Sequence, residues 1–230
     1  MTTKEFANVK NYIKHMAKFN IRIVKADESG NLIGLASGFI YHPDKDKPPI
    51  VITAGHSTPE KGCFIETNII EDGKTICINA GEFKVFHTQE GVDYAYSYLN
   101  NEMKQNETHS KSNFAMISYL HEFVKADGNE EYGFAVLNNY EFVNNGDTLI
   151  LPRYYCYEVG LKLVKQEEHL NYFKTMGQIK DHEYYKGASG SPVSDPEGKI
   201  TGILVGGTDP IELLKVFRLD NIDWQINSGE

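Results

Sequence analysis

The apolar residues at the beginning of the chain follow the period of a helix. Four of them are separated by three or four positions, with lysines between them: Phe6, Val9, Ile13 and Met16. This spacing places them on one side of an amphipathic helix. We therefore predict a helix over residues 1–18 that packs on the surface of the domain, with docking to a partner protein as the alternative.

From residue 19 onward the pattern changes to short segments that are rich in Ile, Val, Phe and Tyr. Residues 19–26 alternate between apolar and polar side chains, as a half-buried strand does. Gly, Asp, Asn or Pro separate most segments, and Gly160 divides two predicted strands, 147–159 and 161–166. Many short strands with no long helix between them predict an antiparallel all-β fold of barrels or sandwiches.

The polar stretches suggest how the chain is divided. Residues 101–113 are the most polar segment, and we expect an exposed loop there. A soft boundary falls near residues 124–131, and residues 220–227 are predicted to form a short closing helix with Ile222 and Trp224 as its apolar contacts. The predicted parts are therefore an N-terminal helix and two β domains, over residues 1–18, 19–125 and 126–230.

The composition is that of an ordinary globular protein. The chain has 230 residues, of which 40% are hydrophobic and 24% are charged. It is therefore long enough for a sizeable core and too apolar for a disordered protein. The net charge of −9 argues against nucleic-acid binding, which requires a basic surface to neutralise phosphates.

The cysteines and the absence of long apolar stretches indicate in which compartment the protein is found. Cys63, Cys77 and Cys156 are too few for a disulfide framework and do not have the spacing of a zinc site, so we expect reduced, packed thiols. The first twenty residues contain no apolar stretch of signal-peptide length, and no segment is long enough to cross a membrane. We therefore expect a cytoplasmic protein that does not contact membranes.

A turn near the end of the chain, KGASGSP at residues 186–192, raises the question of a nucleophile. Ser189 is either a turn filler or a nucleophile that the turn holds in place. A nucleophilic serine requires a base, and His56 is the best candidate because it follows a strand of β-branched residues closely. A hydrogen-bonded histidine at the end of a strand is the alternative.

A histidine that accepts a serine proton requires a carboxylate on its other ring nitrogen, which sets the tautomer and stabilises the imidazolium. Asp93 begins an apolar strand, where an acid is costly unless it is paired. Taken alone, an aspartate in this place is more often a cap at the start of a strand. In the order His56, Asp93, Ser189, the three residues together indicate a catalytic triad.

On these residues the chain resembles the trypsin-like (chymotrypsin-fold) peptidases. The family's Thr-Ala-Ala-His-Cys motif is similar to TAGHS at 53–57, and its aspartate motif is similar to DYA at 93–95. The family's Gly-Asp-Ser-Gly-Gly-Pro motif is similar to GASGSP at 187–192. The segment GILVGG at 202–207 is similar to the strand that follows the family's serine, so the resemblance extends over nearly the whole chain.

The resemblance implies a fold and a reaction. The fold would be two antiparallel six-stranded β-barrels, and the protein would be a serine endopeptidase that forms an acyl-enzyme without a metal or a cofactor. Ser189 would be the nucleophile, His56 the general base and then acid, and Asp93 the carboxylate that orients the histidine. The N–H groups of Gly187 and Ser189 would form the oxyanion hole.

The chain departs from the family in three places. Ala188 replaces the aspartate that pairs with a new N-terminus in the secreted digestive members, so that activation switch cannot operate; bacterial and viral members also lack it. Ser57 replaces a disulfide-forming cysteine. Val205 stands where many members have a serine that helps to hold the aspartate, so Asp93 needs another donor, which the sequence does not identify.

The substrate pocket is the least determined part of the site. By the resemblance its base is Glu183, six residues before the nucleophile (189 − 183 = 6). An acid there would select Lys or Arg, whereas a solvated loop residue in a shifted register is the alternative. Gly206 and Gly207 would leave the pocket wall open and supply backbone for strand-like pairing with a substrate. Leu204 argues against a preference for Glu or Gln, because relatives with that preference have a histidine there.

We therefore predict a cytoplasmic serine endopeptidase whose partner is a protein or peptide substrate. A free protease of this kind is hazardous in the cytosol, so we also expect restricted substrate choice or a regulatory protein, with the N-terminal helix and residues 101–113 as candidate contacts. A catalytically silent protein-binding module on the same fold is the main alternative. An esterase is a further alternative, although Ser191 removes the Gly-x-Ser-x-Gly elbow of that class.

Overall fold

The computed structural model of the protein describes most of the chain. The described residues are 9–26, 28, 32–42, 48–71, 74–99, 116–118, 123–138, 141–144, 147–150, 154–177, 182, 184–208, 212–220 and 222.

The predicted N-terminal helix is present as α1 (Val9–Phe19), and Phe6 lies outside the described residues. Its buried residues are Tyr12, Ile13 and Met16, which share one side because Met16 lies four positions after Tyr12 and three after Ile13. This side contacts the barrel that is described below, chiefly through its first strand. The apolar side of α1 is therefore used inside the protein.

In the described part of the chain, eight strands form the first sheet: β1 (Ile21–Ala26), β2 (Leu32–His42), β3 (Ile50–Thr53), β4 (Cys63–Glu71), β5 (Lys74–Asn79), β6 (Lys84–His87), β7 (Asp93–Tyr98) and β8 (Met116–Ser118). Seven of them are antiparallel neighbours in the order β5-β4-β1-β2-β3-β7-β6. The eighth strand, β8, pairs in parallel with β2.

The second half of the chain forms a closed barrel. The strands described in this half are β9 (Tyr132–Asn138), β10 (Glu141–Asn144), β11 (Asp147–Ile150), β12 (Tyr154–Gln166), β13 (Leu170–Lys174), β14 (Pro192–Ser194), β15 (Ile200–Gly207) and β16 (Leu214–Arg218). The barrel closes in the order β12-β13-β16-β15-β14-β9, and β10 and β11 form a separate two-stranded sheet.

This architecture confirms the predicted all-β fold, with a helix first, a sheet and then a closed six-stranded barrel, as in a chymotrypsin-like double barrel. The change from the first sheet to the barrel falls between Ser118 and Tyr132, while the predicted domain limits stay a prediction. Of the predicted closing helix, only Asp220 and Ile222 are described. The predicted loop at residues 101–113 lies outside the described residues.

One cluster of buried side chains joins the helix to both sheets. It contains Tyr12 and Met16 of α1, Ile52 of β3, and Ile203 and Phe217 of the barrel. Burial of large apolar side chains stabilises a fold by about 1.5–3 kcal/mol each. Because these contacts are shared, α1 and the two sheets hold one another in place.

The three cysteines are free thiols, as expected. Cys63 and Cys156 are buried and Cys77 is half-buried. Burial raises the pKa of the Cys63 and Cys77 thiols above the ordinary value, which keeps them protonated and unreactive. No helix in the described part of the chain is long and apolar enough to span a membrane.

Candidate active site

The strand pairing of the first sheet brings His56 and Asp93 together. Strand β3 ends at Thr53, and β7 begins at Asp93. The two strands are antiparallel neighbours in which Thr53 pairs with Ala95. Two residues further in this register, Asp93 lies opposite the turn that carries His56.

His56 and Asp93 are joined by two hydrogen bonds. Nδ1 of the His56 ring lies 2.8 Å from Oδ2 of Asp93, and the backbone N–H of His56 donates to Oδ1 at 2.9 Å. The Asp93 residue is 9% exposed, whereas the histidine ring is partly open to solvent. A buried carboxylate requires hydrogen-bond donors, and His56 supplies them with both its ring and its backbone.

The backbone N–H of His56 is the donor that the sequence did not identify for Asp93. Val205, at the position where the resemblance expects a serine, has no side-chain donor and packs among apolar residues. A backbone donor has no sequence signature, so no residue type could have revealed it.

Gly55 lies where the end of β3 approaches β6 and β7 closely. A Cβ atom at this position would lie 2.6 Å from the Phe86 carbonyl oxygen and 2.9 Å from that of Tyr94. Both distances are too short for a side chain, which explains why Gly55 replaces the second alanine of the family motif. The tight fit also holds the next residue, His56, against Asp93.

Three stacked aromatic rings connect the first sheet, next to Asp93, to the barrel. The Tyr94 ring stacks on Phe86 with centroids 4.7 Å apart and on Phe217 of β16 at 5.1 Å. Burial raises the pKa of the Tyr94 hydroxyl. Stacked aromatic pairs contribute about 0.5–1.5 kcal/mol beyond the area that they bury, so the residue next to Asp93 ties the first sheet to the barrel.

Ser189 lies in a turn between two glycines. Gly187 and Gly190 have φ angles of +77° and +89°, which side-chain-bearing residues rarely adopt. The Ala188 N–H donates to the Tyr185 carbonyl at 2.9 Å, and the Gly190 N–H donates to the Leu204 carbonyl of β15 at 2.7 Å. The turn is thus fixed to the barrel on both sides of Ser189.

The same turn packs directly on the first sheet. A Cβ atom on Gly190 would lie 2.0 Å from the Ser37 carbonyl oxygen and 2.6 Å from Thr53 Oγ1. In addition, the Ser37 N–H donates to the Ser189 carbonyl at 2.8 Å. Only a glycine permits this approach, which brings the serine turn to the segment that precedes His56.

One surface cleft is lined by five of the predicted site residues. His56, Gly187, Ser189, Gly206 and Gly207 all line it. Leu204 and Val205, which are discussed above, also line it. No role was predicted from the sequence for the remaining lining residues, although Tyr185 and Lys186 directly precede Gly187 of the serine turn: His182, Tyr185, Lys186 and Leu214. Glu183, the predicted pocket base, lies outside the described residues.

Two backbone N–H groups border the cleft without an acceptor in the part of the chain that the structure describes. Among the residues that the structure describes, none accepts a hydrogen bond from the N–H of Gly187 or of Ser189. Two such donors next to a serine can bind a negatively charged oxygen. Within the described ranges, no three His, Cys, Asp or Glu side chains are grouped as ligands of a metal ion.

Known proteins resemble this chain in structure and not in sequence. No protein-family model and no curated protein sequence matches it. Its fold is similar to tobacco etch virus protease complexed with product, with a TM-score of 0.52 and 12% identity over 91% of this chain and 75% of that chain. Tobacco vein mottling virus protease has a TM-score of 0.52 and 13% identity, over 90% of this chain and 79% of that chain.

A third similar chain comes from a structure of the coupled folding and binding of the intrinsically disordered Sesbania mosaic virus VPg protein. It has a TM-score of 0.52 and 13% identity, and the match covers 94% of this chain and all of that one. At these identities the similarity concerns the fold. The protein therefore has the fold of the chymotrypsin-like proteases, and the chemistry of its site is argued from its own residues.

Proposed function

We propose that this protein is a serine endopeptidase in which Ser189 is the nucleophile, His56 the general base and Asp93 the orienting carboxylate. The observation that carries the proposal is the hydrogen-bonded pair of His56 and Asp93. The His56 residue of this pair lines the same cleft as Ser189. The fold of viral proteases is a second support, although it does not identify the nucleophile.

The hydrogen bond to Asp93 sets the tautomer of His56. With Nδ1–H donating to the carboxylate, Nε2 carries the lone pair that accepts a proton. Ser189 Oγ then attacks the carbonyl carbon of a peptide bond as its proton moves to Nε2 of His56. Asp93 stabilises the imidazolium that forms.

The oxygen of the attacked carbonyl becomes negatively charged and requires donors. We assign this role to the N–H groups of Gly187 and Ser189, which have no acceptor among the described residues. When the intermediate collapses, His56 gives its proton to the leaving amine and the acyl group stays on Ser189. Water then attacks the acyl-enzyme, with His56 again as base, and releases the acid.

Ala188 supports activity without a new N-terminus. Its side chain is fully buried in the apolar core of the barrel, beside Val193 and Leu204. A methyl group in this position needs no charged partner, whereas an aspartate would need one. We therefore propose that the serine turn is folded into its working form without zymogen cleavage.

The proposed substrate is a protein or a peptide. Gly206 and Gly207 border the cleft at the end of β15, where a bulge at Val205 shifts the pairing with β16. Strand-like pairing of a peptide with this backbone is the role that we assign to them. Glu183 as the selector of Lys or Arg remains a prediction.

A peptide-library digest tests the proposal. The wild-type protein should cleave internal peptide bonds, and Ser189→Ala should reduce turnover by about 10⁶-fold, as in another serine protease. Ser97→Ala, which removes a buried hydroxyl that bonds the Ala80 carbonyl, is the control and should cleave as the wild type does. Equal cleavage by Ser189→Ala would contradict the assignment.

The same digest tests the predicted pocket and the main alternative. Cleavage mainly after Lys or Arg is expected from Glu183, and Glu183→Gln should abolish that preference because it removes the charge. If the protein were instead a catalytically silent binding module, peptides would bind in the cleft and remain intact with the wild type and with every variant.

A further inference from the structure

Ser37 bonds the serine turn with both its backbone N–H and its side-chain hydroxyl. It lies in β2 and is 2% exposed. Its N–H donates to the Ser189 carbonyl at 2.8 Å, and its hydroxyl donates to the Gly187 carbonyl at 2.6 Å. Its own carbonyl accepts a hydrogen bond from Thr53 Oγ1 at 2.7 Å. A residue of the first sheet thus holds the two residues that flank Ala188.

Gly187 needs such a restraint because it is a glycine. At φ +77° it occupies a region that glycine enters and leaves at little cost. The Ser37 hydroxyl holds its carbonyl, and the Ala188 N–H at the other end of that peptide group is held by the Tyr185 carbonyl. With this peptide group fixed, rotation of Gly187 is limited, and so is the direction of its own N–H.

Thr53 extends the restraint to the histidine segment. Its hydroxyl bonds the Ser37 carbonyl, and His56 follows three positions later in the chain. Gly190 packs against the same two groups, since a Cβ on it would overlap the Ser37 carbonyl oxygen and Thr53 Oγ1. Ser37 therefore stands between the segment that carries the proposed base and the turn that carries the proposed nucleophile.

We propose that Ser37 is a positioning residue whose hydroxyl holds Gly187 in the conformation that binds the oxyanion. The inference rests on the proposed function, because it assigns a role in that reaction. Ser37 does not touch the reacting atoms and acts through the Gly187 carbonyl.

The test compares two buried serines of the first sheet. Ser37→Ala removes the hydroxyl and keeps the backbone bond to Ser189, so kcat should fall about 10–100-fold, somewhat less than for loss of an oxyanion donor itself. KM should stay within about twofold, because binding of the ground state does not use the oxyanion hole fully. The control is Ser97→Ala, which loses a comparable hydroxyl–carbonyl bond at a residue that is 1% exposed and should keep the wild-type kcat.

A transition-state analogue gives a second measurement. A peptidyl aldehyde with the sequence of a cleaved substrate forms a hemiacetal whose oxygen occupies the oxyanion hole. Its inhibition constant should rise in Ser37→Ala in proportion to the fall in kcat/KM. If Ser37→Ala does not fold, Ser37→Cys fills the same space with a weaker donor and should show the same changes.

The inference is overturned if the folded Ser37 variants turn over at the rate of the wild type, or if KM rises while kcat stays the same. It is also overturned if Ser97→Ala lowers kcat equally at equal folded fraction. Failure of the proposed function is seen separately, in the wild-type protein, which would then cleave no peptide and form no hemiacetal before any variant is compared.

Discussion

The Asp93 carboxylate accepts two hydrogen bonds from His56, at 2.8 Å from ring Nδ1 and at 2.9 Å from the backbone N–H. The ring bond sets which nitrogen faces the cleft, and the backbone bond fixes the carboxylate itself. This pair connects the start of β7 to the turn after β3, so the geometry of the proposed base depends on the pairing of two strands.

Asp93→Asn should leave the fold intact and lower kcat by about 10⁴-fold, as the same change does in another Ser-His-Asp protease. The asparagine oxygen can still accept from the His56 backbone, but its NH₂ group favours the wrong tautomer of the ring. The measurement is kcat for a cleaved peptide together with the thermal midpoint. Asp127→Asn, at an exposed turn in which Asp127 caps Asn129, is the control and should be neutral, and a similar kcat for both variants would remove Asp93 from the mechanism.

Gly190→Ala should destabilise the protein by about 3 kcal/mol or more, because the new methyl group meets the Ser37 carbonyl and the backbone is strained at positive φ. Two glycine controls separate these causes. Gly62 has φ +80° with open space around it, and Gly128 has open space and no such φ. Urea unfolding should therefore show a loss of about 1 kcal/mol for Gly62→Ala and less than about 0.5 kcal/mol for Gly128→Ala. Equal losses at Gly62 and Gly190 would mean that the serine turn does not pack closely on Ser37.

Arg218→Ala should destabilise the barrel by about 3 kcal/mol, because it leaves a carboxylate without its partner. Arg218 is 8% exposed and forms a two-point contact with Asp220 at 3.1 and 2.7 Å. It also donates to the carbonyls of residues 167 and 168, between β12 and β13. Lys61→Ala should cost under about 1 kcal/mol, since the Lys61–Glu82 pair is 73% and 66% exposed. The free energies of unfolding from urea titrations check both values, and equal losses would contradict the role of Arg218.

Tyr12 gives a pH-dependent prediction. Burial raises the pKa of Tyr12 above the ordinary value of about 10, so above that pH the unfolded chain loses the phenol proton while the folded protein retains it. Rising pH therefore favours unfolding, by about 1.4 kcal/mol per pH unit for one proton. In Tyr12→Phe this contribution is absent.

At pH 8 Tyr12→Phe should be less stable than the wild type by about 1 kcal/mol, because it loses the hydrogen bond to Ser194 Oγ at 3.0 Å. The free energies of unfolding of the wild type and of Tyr12→Phe should converge near pH 11, where Tyr12 is ionised in the unfolded wild type. Urea unfolding at pH 8, 9.5 and 11 measures the difference, to which the other tyrosines contribute equally in both proteins. A difference that stays constant with pH would show that Tyr12 ionises as readily in the folded protein as in the unfolded one.

The three residues that we propose as a triad could be selected from the sequence because each lies in a short motif with a local chemical reason. His56 follows a buried strand, Asp93 begins one, and Ser189 lies among small residues in a turn. The contact of Ser37 with Gly187 could not be predicted, since it depends on packing between elements 150 positions apart in the chain. Sequence patterns describe neighbours along a strand and do not show which turn packs against that strand.

Strand boundaries show a second limit. The sequence predicted separate strands over residues 147–159 and 161–166, with Gly160 as the break. In the structure β12 continues through Gly160, whose φ of +72° produces a bulge between Val159 and Leu161. Glycine both ends strands and bends them, and only the pairing with β9 determines which of the two occurs.

The most direct test of the central claim is labelling with a fluorophosphonate, which reacts much faster with an activated serine than with an ordinary one. Intact mass and peptide mapping of the folded wild-type protein at neutral pH should show one adduct, on Ser189. Ser189→Ala and His56→Ala should show none, and Ser97→Ala should be labelled as the wild type is. A folded wild type without an adduct, or an adduct that persists in Ser189→Ala, would contradict the proposal that Ser189 is a nucleophile activated by His56 and Asp93.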